Sequence, residues 1–199
     1  MDYIAIFASG SGTNAERIME HFRDHPSIRV ALVLTNNPSA GVLERAGRFG
    51  VPAYVFDREQ FTKTDEVLGV LKQYGVTMVV LAGFLWLVPA NILRAYEGRI
   101  LNIHPALLPR FGGKGMYGAR VHEAVIAAGE TESGITIHRV NERYDEGAII
   151  FQGRCRVMEG DTPDTLAGRI HELEYRYYAE VIENAILSGR WREEKEVTG

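Results

Sequence analysis

Cysteine is almost absent from the 199-residue chain: Cys155 stands alone, which excludes an intrachain disulfide and a cysteine-built metal centre. Long hydrophobic runs are missing too, and none approaches the ~20 apolar residues that span a bilayer. Nor is there an excess of positive charge. With 22 Lys and Arg against 26 Asp and Glu, the formal charge of -4 disfavours broad nucleic-acid binding, which needs a basic face to release counterions. A local basic pocket for a small anion stays open. The first apolar run, "YIAIFAS", is preceded by an acid and followed by "GSGTN", so it lacks the basic flank and length of a secretory signal. No spacing of histidines and acids suggests a metal. These absences point to the cytoplasm, with no metal, no membrane and no nucleic acid as partner.

What is present is ordinary globular material, 46% apolar and 24% charged, in a length that suits one domain with a real core. From residue 1 to about 103, short apolar runs alternate with amphipathic stretches: "YIAIFA" then "NAERIMEHFRDH", "RVALVLTN" then "GVLERAGRFG", "AYVF" then "TDEVLGVLKQYG", "TMVVLAG" then "PANILRAYEG". The runs are continuous rather than alternating, as strands buried on both faces of a parallel sheet require. An α/β fold follows, a doubly wound and mostly parallel sheet that binds ligands beyond the carboxyl ends of its strands. After "RILNIH" the texture changes to a glycine-rich loop, "LLPRFGGKGMYG", and a helix, "ARVHEAVIAAG". Two period-2 runs, "GITIHRV" and "AIIFQGRCRV", then predict an antiparallel extension of the sheet. A long C-terminal helix is expected from about Thr162 to Leu187, with Asp161 as N-cap, before a polar, frayed tail at 190–199.

Four stretches carry residues that packing alone does not ask for. "SGSGTN", Ser9 to Asn14, joins the first strand to the first helix, where glycines admit a close ligand and the helix N-terminus offers N–H groups to a phosphate. It is no P-loop, since no Gly-Lys-Ser/Thr follows, and it reads equally as a tight turn with Thr13 or Asn14 capping the helix. In "NIHPALLPRF", Asn102 and His104 are two apart and so share a side of an extended strand end. An amide and an imidazole there suit a developing oxyanion, although both could simply cap the strand. "NERYDEG", Asn141 to Gly147, is a turn in which Asp145 matters only if the fold brings it to His104, whose cation it would support. "AGFLWLV" emerges from the fourth strand with Trp86 past a glycine; it is core, or else a wall for a flat heteroaromatic ligand. His21, His25, His122 and His171 read as surface or half-buried helix residues, while His138 shares a strand face with Thr136 and can point towards the site.

"FASGSGTN", "VVLAGF", "LNIHPALLP" and "YDEGAIIFQ", in that order, resemble the folate-dependent formyltransferases, and among them the phosphoribosylglycinamide formyltransferase family, over nearly the whole chain. The resemblance implies a single Rossmann-like formyltransferase domain, with a nucleotide-binding half to about residue 103 and a folate and catalytic half from about 104 to 189. It implies formyl transfer from 10-formyltetrahydrofolate, as cosubstrate, to the amine of 5-phosphoribosylglycinamide in purine synthesis, by a monomer or homodimer. Carried over by position, Asn102, His104 and Asp145 are the catalytic set, and Gly12, Thr13, Asn14 and Glu174 hold the ribonucleotide. The folate would lie against Leu85, Trp86, Leu87, Val88 and Asn102 and the stretch Asn141, Glu142, Arg143, Tyr144 and Asp145, with Lys63 at its glutamate tail. Ala106 stands where the family often has Ser, and Trp86 where Arg is common.

Two other readings compete. A deformylase, or a formyltransferase acting on another amine, would use the same trio, but such relatives normally carry a further module, and a tRNA-binding one should be basic. A noncatalytic nucleotide-binding module would keep "SGSGTN" for phosphate and the trio for structure.

Overall fold

A computed structural model describes residues 1–189, so the expected tail at 190–199 lies outside the described residues. The apolar runs become strands β1 (Asp2–Phe7), β2 (Ile28–Thr35), β3 (Ala53–Val55), β4 (Met78–Leu81) and β5 (Ile100–His104), followed by β6 (Glu132–Arg139) and β7 (Ile149–Arg156). They form one sheet in the order β3-β2-β1-β4-β5-β6-β7. The first five pair in parallel; β6 runs antiparallel to β5, and β7 antiparallel to β6. The chain therefore reverses its direction of winding between β1 and β4, the place where an open α/β sheet leaves a crevice.

Alternation within the strands explains their continuous apolar character. Ile4 and Ile6 of β1 face a core shared with α1 (Thr13–His21), α2 (Val42–Arg48) and α7 (Pro163–Leu187). Ala5 and Phe7 face the other layer, where α4 (Glu66–Gln73) and α5 (Ala90–Ala95) pack. That second layer also holds α3 (Arg58–Thr62), which the hydrophobic pattern did not predict. Five residues are too few for a helical period. Its signal is instead a capping box, in which Asp57 accepts from the Gln60 N–H and the Gln60 side chain accepts from the Asp57 N–H.

The long C-terminal helix starts one residue later than Asp161 would cap it: Thr162 is the N-cap, bonded reciprocally with Thr165, and Pro163 takes the first helical position. Asp161 instead accepts from the Met158 N–H and pairs with Arg169. Near its far end, α7 meets α1 through Glu183, which bonds His21 at 2.6 Å and His25 at 3.1 Å. His21, and after it His25, hold the Glu183 carboxyl below its ordinary 4.5 despite partial burial. A depressed carboxylate contributes stability that is present above its unfolded value and lost as pH falls through the folded one. The difference in Tm between the wild type and Glu183→Gln should accordingly be present above the ordinary 4.5 and shrink as pH falls below it through the lower folded value. A difference that persists unchanged in acid would refute the assignment.

Candidate active site

The loop after β1 turns on Gly12, whose φ of 75° lies in the left-handed region and whose Cβ would stand 2.6 Å from the Val42 side chain. Only glycine fits there. Gly12 is itself the N-cap of α1, with no side-chain cap, so neither Thr13 nor Asn14 caps the helix as the tight-turn reading expected. The first-turn N–H groups are thus left without a side-chain acceptor. Asn14 turns the other way and donates from Nδ2 to Glu174 of α7 at 2.9 Å.

This loop forms one end of a cavity of about 650 Å³ that spans the carboxyl ends of β1, β4 and β5. The other end is apolar, with Leu85 48% and Leu87 39% exposed beside Trp86 and the buried Val88. Behind them Phe7, Phe56, Phe61 and Phe84 pack around one another and Trp86, Phe56 stacked on Phe61 and the other pairs edge-on or tilted, which fixes the wall. Between the two ends stand Asn102, His104 and Asp145.

β5 places Asn102 and His104 at its last turn of pleat, and antiparallel pairing sets His138 of β6 opposite Asn102 and Thr136 opposite His104. The Nδ1 proton of His138 goes to the Arg139 carbonyl at 2.9 Å, leaving Nε2 to accept from Asn102 Nδ2 at 3.1 Å. An amide nitrogen carries two protons, so Asn102 keeps one N–H for the cavity. Thr136 donates to the Ala106 carbonyl at 2.7 Å and accepts from the Leu108 N–H at 3.0 Å, pinning the loop after His104. His104 is 3% exposed. Its Nε2 donates to the Phe111 carbonyl at 2.7 Å, and its Nδ1 lies 3.5 Å from Asp145 Oδ2.

Asp145 does reach His104, but the expected result, a ring kept charged, does not follow. Burial pushes the His104 imidazole below its ordinary 6.5, and the pull of Asp145 and of the Phe111 carbonyl does not make up the difference. The resting ring is neutral near pH 7. Burial raises the Asp145 carboxyl as well, but His138, whose Nε2 lies 3.5 Å from Oδ1, together with His104 and the Gly113 N–H holds it below its ordinary value.

Among the folate-contact expectations, Leu85 to Val88, Asn102, Arg143, Tyr144 and Asp145 line the cavity, and Gly12, Thr13, Asn14 and Glu174 line its opposite end. Lys63, Asn141 and Glu142 do not. Lys63 is the exposed C-cap of α3, and Asn141 spends its side-chain oxygen on the Arg143 N–H. His122, expected at the surface or half-buried, is instead 3% exposed on α6 (Ala119–Ala127) and lines the cavity. Its sequence signal is faint but real: it neighbours Val121 and lies one turn before Val125, on the face that α6 buries. No group of His, Cys, Asp and Glu among the described residues could hold a metal ion.

Since Asp145 raises the affinity of His104 for a proton, Asp145→Asn should move the His104 titration, followed by imidazole NMR, to still lower pH. A shift upward would show that Asp145 does not act on this ring.

Residues 2–182 match the formyl transferase family. The chloroplastic phosphoribosylglycinamide formyltransferase of Arabidopsis thaliana is 45% identical, over 96% of this chain and 68% of that protein. The phosphoribosylglycinamide formyltransferase of Bacillus subtilis is 35% identical, over 94% and 95% of the two chains. The solved structure of the Streptococcus pneumoniae enzyme of the same name superposes with a TM-score of 0.82 at 39% identity, covering 94% of this chain and 99% of that one. A mostly parallel sheet with an antiparallel end agrees with these likenesses, and the chain belongs to the formyl transferase family.

Proposed function

We propose that this protein transfers the formyl group of 10-formyltetrahydrofolate to the amine of 5-phosphoribosylglycinamide, a step of purine synthesis. The observation that carries the reading is one cavity lined by Asn102, His104 and Asp145 together with a glycine-turned helix N-terminus and an apolar, aromatic-backed wall. One end suits a phosphate, the other a flat pterin, and the polar trio sits where the two ligands would meet. The exposed Leu85 and Leu87 fit the folate, which supplies the activated formyl group. The lone Cys155 suits a reducing compartment, so we place the reaction in the cytoplasm, in a monomer or homodimer that uses neither metal, membrane nor nucleic acid.

In this reading the free N–H of Asn102 donates to the formyl oxygen as negative charge develops on it. His104 is neutral at rest and its Nε2–H is engaged by the Phe111 carbonyl. An anionic oxygen is a stronger acceptor than a neutral carbonyl, so the imidazole exchanges one bond for the other as the charge grows. The same anion offsets the burial that kept His104 neutral, and Asp145 then steadies the charged ring through Nδ1. The proton shed by the attacking amine passes through the imidazole to the folate nitrogen as the bond from that nitrogen to the formyl carbon breaks, so tetrahydrofolate leaves neutral and His104 returns to its resting state.

Absorbance of the folate on mixing with the protein, with and without the ribonucleotide, tests the proposal. Amine-dependent loss of the formyl group is expected. Asn102→Ala should lower kcat by roughly 100-fold to 1,000-fold, the usual cost of one oxyanion donor, with little change in KM for the ribonucleotide. Folate consumption without the amine would mean a hydrolase, and ribonucleotide binding without turnover a noncatalytic module.

A further inference from the structure

Packing does not ask for a hydroxyl at the end of a buried strand, yet Ser9 follows β1 there, 9% exposed, with each of its polar groups engaged. Its N–H donates to the Gly83 carbonyl at 3.0 Å, and its carbonyl accepts from Asn37 Nδ2 at 3.4 Å. Its hydroxyl donates to Asn36 Oδ1 at 2.7 Å and accepts from the Leu85 N–H at 3.2 Å. A hydroxyl has one proton, so Ser9 lines the cavity with none left to donate to a ligand. Its task there is performed on other residues.

Those residues come from both neighbouring strands. In the sheet β1 lies between β2 and β4; Asn36 and Asn37 follow β2, whereas Gly83 and Leu85 follow β4. Ser9 thus clamps three strand ends where the cavity opens. It also joins two surfaces with different tasks. On one side the chain runs from Ser9 into the Gly12 turn and the start of α1. On the other it bends at Gly83, with a φ of 74°, into the apolar wall. Leu85 lies outside any strand, and the acceptor for its N–H is the Ser9 hydroxyl.

We propose that Ser9 is a positioning residue for the transfer: through its hydroxyl it holds the Leu85 segment of the wall at a set distance from the nucleotide loop. This rests on the formyl-transfer reading above, in which one ligand lies on each of these surfaces. Asn36 acts through Ser9, because taking the hydroxyl proton turns a lone pair towards the Leu85 N–H. Reacting atoms must approach to roughly 3–3.5 Å, and a misplacement of about 1 Å can cost about 100-fold in rate. A clamp between the two loops therefore governs turnover as well as folding.

Steady-state formyl transfer with both substrates varied, by the wild type, Ser9→Ala, Asn36→Ala and the double variant, tests it. Ser9→Ala should raise KM for 10-formyltetrahydrofolate about fivefold, the range of one neutral hydrogen bond, and lower kcat about tenfold. KM for the ribonucleotide should stay within about twofold, since the Gly12 turn does not depend on the hydroxyl. Asn36→Ala keeps the hydroxyl but frees it to rotate, so it should show the same split at smaller amplitude; it carries the test where Ser9→Ala does not fold. The double variant should match Ser9→Ala alone, because Asn36 acts through the group already removed. An equal rise in both KM values, additive effects in the double variant, or a lower Tm with unchanged kinetics would overturn the inference while wild-type turnover leaves the functional reading standing. No wild-type turnover on the ribonucleotide would overturn both.

Discussion

One carboxylate ties the site together. Asp145 sits in the turn between β6 and β7 with a φ of 56°. From there Oδ2 accepts from the Gly113 N–H at 2.9 Å and lies 3.5 Å from His104, while Oδ1 lies 3.5 Å from His138. Strand β5, strand β6 and the glycine-rich loop thus meet on a single side chain. Its approach depends on a neighbour with no side chain at all: a Cβ at Gly147 would stand 1.7 Å from the Arg139 carbonyl oxygen. Any other residue at 147 would force the turn away from β6 and carry Asp145 with it.

The same closeness has an electrostatic cost. Bringing His104 to Asp145 buries both, and for the imidazole burial wins, so the site rests with a neutral ring beside a charged carboxylate. That balance suits an acyl transfer better than a permanent cation would. A ring that is always charged would draw its compensation from Asp145 and the Phe111 carbonyl, and would gain less when negative charge appears on a substrate. A ring that rests neutral responds to that charge, and stabilisation gained only in the transition state is what accelerates a reaction.

Continuous apolar runs made the parallel strands legible, because burial on both faces leaves no polar alternation to confuse the period. Period-2 runs made β6 and β7 legible for the opposite reason. Short-range chemistry was harder to read. At the start of α7, Asp161 and Thr162 are both good caps, and Pro163, favoured at the first helical position, decides for Thr162. Asn14 looked like a cap because its partner, Glu174, lies 160 residues away and no local pattern reveals the pair. His122 escaped for the same reason: the part of the cavity it lines is made by α1, α6 and α7 together. Asn102 and His104 were readable because a buried strand end needs neither an amide nor an imidazole, whereas Asp145 is an ordinary turn residue and entered the set only through the family resemblance.

The 25-residue α7 shows how a remote part of the chain can set the substrate end of such a site. Tyr178 is fully buried, and its hydroxyl donates to the Leu81 carbonyl at 2.8 Å, at the end of β4 where the cavity begins. Glu174 lies four residues earlier on the same helix face, about one turn of 5.4 Å nearer the cavity. Glu183, on the other side of Tyr178, ties the helix to α1, the element that carries Asn14. A loop could present the same carboxylate, but it would leave its direction free. Anchored at the sheet on one side and at α1 on the other, the helix fixes Glu174 in position and in orientation, and Glu174 in turn fixes the orientation of the Asn14 amide. The direction of that amide is therefore a consequence of how α7 packs, decided well away from Asn102, His104 and Asp145.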